Sequence, residues 1–124
     1  MFDFLMLISA IIFLSLDFVY LNVMKGYFEN LVKTIQGTPL KINYLSAAIC
    51  YIFLITGLNY FIIKPRKSVN EAFLLGIVIY GVYETTNYAL FSNWTLLSVI
   101  IDTLWGGLLF ASTTYFVNFL RGVF

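Results

Sequence analysis

Polar residues along this chain fall into short clusters, and between the clusters lie four apolar blocks, each close to the length that a bilayer crossing needs. The first covers residues 2–24. It is longer than the apolar region of a cleavable leader, which would also want basic residues where Asp3 stands, so it reads as a retained helix. Residues 25–41 turn polar, with Gly26, Glu29, Lys33, Gly37 and Pro39, while Tyr27, Phe28, Leu31, Val32 and Ile35 recur at helical spacing. That pattern predicts a short amphipathic helix in the interface. A second block, residues 42–63, is stopped by Lys64, Pro65, Arg66 and Lys67, which combine charge with a helix breaker. Ser68, Asn70 and Glu71 form a capping group ahead of a third block, residues 72–91. Ser92 and Asn93 make the shortest loop before the fourth, residues 95–120. The expected fold is an all-α integral membrane protein: one domain, residues 1–124, forming an antiparallel four-transmembrane-helix bundle with an interfacial segment between helices 1 and 2.

Composition agrees. Of the residues, 61% are hydrophobic, 19% aromatic and only 10% charged, with a mean hydropathy of +0.93, which is not a soluble domain's make-up. A hydrocarbon core about 30 Å thick takes about 20 apolar residues per crossing, so the length holds four helices and no separate catalytic domain. Seven Lys and Arg against six Asp and Glu give a net charge of +1 without a basic run, which argues against nucleic acid as a partner. With no His and one Cys, the chain lacks the means for Cys/His zinc sites, haem-ligating His, His-dependent nucleophiles and an internal disulfide. No metal site and no cofactor is expected. The lipid bilayer is the expected partner. Four crossings put both termini on the side of Lys64, Arg66, Lys67 and Arg121, against Lys25, Lys33 and Lys41 opposite, a bias toward cytoplasmic termini in a plasma or inner membrane.

Three acids fall inside the apolar blocks: Asp17, Glu84 and Asp102. Each stands about seven residues from the face that bears residues 25–41 and Asn93, or about 10 to 12 Å deep at about 1.5 Å per residue. The three carboxyls are expected in one layer. Asn22, Asn43, Tyr44 and Ser46 lie near that level, as do Tyr80, Tyr83, Asn87, Tyr88 and Ser98. Helical spacing puts Tyr80, Glu84 and Asn87 on one face and Ser98, Asp102 and Trp105 on another. One ionised Asp at a helix centre costs roughly 2.5 to 3.5 kcal/mol on insertion scales, which makes intramembrane acids functional candidates. No Lys or Arg lies inside the blocks. The carboxyls must therefore share protons, bind a cation, meet water or accept from Tyr, Trp, Asn and Thr donors. The candidate ligand- or ion-binding residues are Asp17, Glu84, Asp102, Asn87, Tyr83, Trp105, Ser98, Asn22 and Tyr44, with Glu84 expected to share a proton with Asp17 or Asp102.

Other features have plainer readings. Trp94, Tyr20, Tyr44, Tyr60 and Tyr115 lie near block ends, where an aromatic belt accounts for them. Trp105 is as deep as Asp102, so its indole N–H is expected to donate to the carboxyl layer. Cys50 reads as a small buried hydrophobe. Ala72 with Gly76, and Gly107 with Ala111, suit close helix packing within the bundle or between protomers.

These residues resemble a widespread group of small four-helix membrane proteins, domain of unknown function 2177. The likeness rests on Leu16-Asp17 followed by an aromatic cluster, on Tyr83-Glu84-Thr85-Thr86-Asn87-Tyr88-Ala89 with Trp94 soon after, and on Asp102 with Trp105-Gly106. The family pattern has Asp where this chain has Glu84, and usually Trp where it has Tyr20; both departures keep an acid and an aromatic. The resemblance implies the four-helix topology and the three acids as a signature, and no activity.

Three functions stay open. The first is a carrier or pore component whose acid layer binds a proton or small cation, as a homo-oligomer because four short helices enclose little volume. The second is a packing or assembly protein in which the acids only hydrogen-bond between helices. The third is a lipid-modifying membrane enzyme, which wants a phosphate-binding basic cluster at the acid face, where only Lys25, Lys33 and Lys41 are candidates.

Overall fold

The computed structural model describes residues 3–122, which are helical throughout apart from short connections. Four helices follow one another: α1, Phe4–Gln36; α2, Tyr44–Leu58, continued by a π-helical turn over Asn59–Ile63; α3, Val69–Leu90; and α4, Leu96–Arg121. Phe2, where the first expected span begins, lies outside the described residues. Three helical segments are long and apolar enough to cross a membrane: α1, α2 with its π turn, and α4. α3 has 22 residues, about 33 Å at about 1.5 Å each, and is long enough. Its Asn70, Glu71, Glu84 and Asn87 leave it without an apolar stretch to match those of the other three.

The separate interfacial helix expected within residues 25–41 is absent. Instead α1 runs unbroken through 33 residues, about 50 Å, and so projects well past a hydrocarbon core about 30 Å thick. No proline interrupts it before Pro39, and extending a formed helix costs less than nucleating a second one. The end comes at Gly37, which takes the left-handed conformation at φ 76° and donates its N–H to the Lys33 carbonyl.

Local signals set the other boundaries. Asp3 caps α1 by accepting from the Met6 N–H at 2.8 Å, and Asn43 caps α2 by accepting from the Ser46 N–H at 3.0 Å. The Ser68 hydroxyl accepts from the Glu71 N–H at 3.1 Å while the Glu71 carboxylate accepts from the Ser68 N–H at 2.9 Å, a full capping box that starts α3 at Val69, three residues before the expected Ala72.

Packing divides the molecule into two halves. The half nearer the termini is mainly apolar: Phe13 packs edge-on against Phe110 at 5.5 Å, with Leu58, Ile62, Ile63, Ala72, Leu109 and Val117 in the same core. Asn59 ties this half together, donating to the Ser9 hydroxyl at 2.8 Å and the Ile55 carbonyl at 2.9 Å, and Arg121 donates to the Ile63 carbonyl at 2.7 Å. α3 and α4 are the most intimately packed pair. A methyl group added at Gly76 would run into the Gly106 carbonyl, and Tyr80 and Ile77 press on Gly106 and Gly107 in turn. Gly76 therefore serves packing within the chain. The outer surface carries Phe18, Val23, Phe53, Leu74, Leu90 and Phe119, all exposed, which is the inverse of a soluble protein and suits acyl chains.

Candidate functional site

The half away from the termini holds the acids. Asp17 is 5% exposed, Glu84 1% and Asp102 8%, so all three face inward. Each has its own donors. The Asp17 carboxylate accepts from the Trp105 indole N–H at 2.9 Å through Oδ1 and from the Tyr51 hydroxyl through Oδ2. Glu84 Oε1 accepts from the Trp94 indole N–H and the Ser98 hydroxyl, both at 2.9 Å. Asp102 Oδ1 accepts from the Tyr20 hydroxyl at 2.9 Å. Above the layer, the Tyr27 hydroxyl, on the projecting part of α1, bonds the Thr95 hydroxyl at the start of α4.

The remaining oxygen of Glu84 is the unusual atom. Oε2 is buried and receives no donor. The Glu84 and Asp102 carboxyls are near enough to act directly on each other. Asp17 differs from this pair in that each of its oxygens has a donor. Among the described residues no group of three or more Asp, Glu, Cys or His is arranged to hold a metal ion.

Of the nine candidates, the structure brings together Asp17, Glu84, Asp102, Trp105 and Ser98. Tyr80 and Asn87 are half-buried on either side of Glu84 along α3, with Asn87 beside Tyr83. Tyr83 itself is 57% exposed. Asn22 is corrected: it is exposed and donates to the Phe18 carbonyl of its own helix at 2.8 Å. Tyr44 is corrected too, being 77% exposed at the first turn of α2, so it belongs with Tyr60 and Tyr115 in an aromatic belt. Trp94 and Tyr20 leave that belt, because each donates to an acid. Cys50 is exposed, not buried.

Tyr51 is the donor that sequence reasoning missed. Its signal was position: a tyrosine in the middle of an apolar helix, unlike one at its end, has no water for its hydroxyl and must send it to another helix. Tyr20 hid behind a plausible belt position, and Trp94 behind the loop next to it.

Helices of this length and apolarity, with an acid layer inside and hydrocarbon-compatible side chains outside, define a helical membrane protein. The chain belongs to the family of predicted membrane proteins described as domain of unknown function 2177, whose model matches residues 3–119. No curated protein and no solved structure matches it.

Proposed function

We propose that this protein handles protons or a small cation within the membrane, with Glu84 and Asp102 as the exchangeable site. The observation that carries this is Glu84 Oε2, buried and without a donor, in a carboxyl that neighbours the Asp102 carboxyl. Two ionised neighbouring carboxylates repel in a low-dielectric layer, and no Lys or Arg lies inside the apolar blocks, so a shared proton or a bound cation is what makes the arrangement stable. A proton fits better than a divalent metal, which wants six or so oxygen ligands. In this reading α3 is a fourth crossing helix running antiparallel to α4, the termini face the cytoplasm, and copies of the chain associate, since one bundle encloses little volume.

Asp17 favours a second, structural reading for that residue alone. With a donor on each oxygen it joins α1 to α2 and α4, and its bonds serve to hold the helices together.

The test is the infrared spectrum together with proton flux. A carboxylic-acid carbonyl band should be present in the purified protein at pH 7 and be removed by Glu84→Gln or Asp102→Asn. Proteoliposomes loaded with a pH dye should take up protons under an imposed potential, and both variants should reduce this to the level of empty vesicles while remaining folded. A parent spectrum without such a band rules out the shared proton, and variants that conduct like the parent rule out the site.

A further inference from the structure

α2 packs on α1 and, through its π-helical end, on α4, but it meets α3 only sparsely. The gap is a crevice of about 370 Å³, walled by Cys50 and Leu54 of α2 and by Ile79, Tyr80 and Tyr83 of α3, with Asp102 at its floor. Cys50 and Tyr83 are exposed, so the crevice opens sideways. Cys50 is the seventh residue of α2 and Asp102 the seventh of α4, which puts both about 10 Å in from their helix starts. What lies beside an opening at that depth is acyl chain. An otherwise apolar cleft that reaches a buried acid is therefore accessible from within the bilayer.

Building on the shared-proton reading of Glu84 and Asp102, we propose that this crevice is a lateral binding site for an amphipathic amine, its ammonium at Asp102 and its alkyl chain running out between α2 and α3 into the lipid. Charge complementarity selects this class. One proton between two carboxyls leaves one negative charge, and no Lys or Arg within the spans neutralises it. A neutral lipid would leave that charge uncompensated and an anion would add to it. An ammonium offsets it and donates a charge-assisted hydrogen bond, while the rings of Tyr80 and Tyr83 line the approach and attract a cation through their faces.

Cys50, the chain's single cysteine, reports on the crevice directly. The experiment measures the rate of N-ethylmaleimide alkylation of the full chain in proteoliposomes, with added N,N-dimethyldodecylamine, which is protonated at pH 7 and does not react with maleimide, or with dodecanol at the same concentration. The amine should slow alkylation roughly tenfold more than the alcohol does, the scale of one charge-assisted hydrogen bond. Asp102→Asn should remove that difference. Should Asp102→Asn fail to fold, Leu54→Trp, which fills the crevice away from the acids, should remove it instead. Equal protection by amine and alcohol, or amine protection that survives both variants, overturns the proposal. Amine protection in a protein that shows no carboxylic-acid band supports the crevice and sinks the shared proton; the band without amine protection sinks the crevice alone.

Discussion

Tyr20 and Trp105 stack face to face, ring centroids 4.7 Å apart and planes 5° from parallel, and each sends its donor to the acid on the other's helix. Tyr20 of α1 donates to Asp102 of α4, and Trp105 of α4 donates to Asp17 of α1. In both helices the aromatic follows its acid by three residues, so acid and ring sit on one face and the two faces interlock. The clamp fixes the rotation of α1 against α4 at the depth of the acid layer.

Removing one arm tests the clamp. Tyr20→Phe keeps the stack and deletes the donor to Asp102, leaving a buried acceptor unpaired, which should cost about 1–3 kcal/mol. Trp105→Phe should do the same to Asp17, softened because Tyr51 still donates there. Thermal unfolding in detergent of the two single variants and the double should give a coupling of about 0.5–3 kcal/mol, and additive effects would show that the arms act independently.

The acids should separate into two kinds. Asp17→Asn turns an amide N–H toward one of the two donors that Asp17 accepts from and should destabilise the fold by about 1–3 kcal/mol. Glu84→Gln resembles the protonated acid and should unfold close to the parent at pH 7. A Glu84→Gln variant as unstable as Asp17→Asn would mean that Glu84 is ionised and paired.

Glycine at 76 should be irreplaceable while glycine at 57 is not. Gly76→Ala forces the α3 backbone away from the Gly106 carbonyl and should cost about 1–3 kcal/mol, as overpacking does. Gly57→Ala meets nothing within 4 Å inside a helix and should be neutral or stabilising by about 0.5–1 kcal/mol. Melting temperatures in one detergent decide between them.

Asp3 predicts a dependence on acid pH. The Met6 N–H it accepts, with help from the Lys64 ammonium 3.3 Å away, holds its carboxyl below the ordinary value of 3.8. A depressed folded value means that the cap's contribution is present above the unfolded value and is lost as pH falls through the folded one, below about pH 4. Asp3→Asn keeps a capping oxygen without the charge and should flatten the stability curve in that window, as read from thermal midpoints between pH 5 and pH 2.

Much of this architecture is legible along the chain alone. Four apolar blocks, their caps at Ser68 and Glu71, and the common depth of Asp17, Glu84 and Asp102 all follow from counting, because depth along a straight helix is linear in residue number. What counting cannot reach is rotation. Which donor meets which acid depends on how each helix turns and how closely it approaches its neighbour, and those are decided by contacts between residues far apart in sequence, such as Gly76 on Gly106 and Tyr20 on Trp105. Tertiary packing alone therefore brought Tyr51 to Asp17 and Trp94 to Glu84, and left a crevice between α2 and α3 that reaches Asp102. The continuity of α1 past Lys25 belongs with these. A polar surface pattern is shared by an interfacial helix and by the projecting end of a longer one, and only the unbroken backbone of Phe4–Gln36 tells them apart.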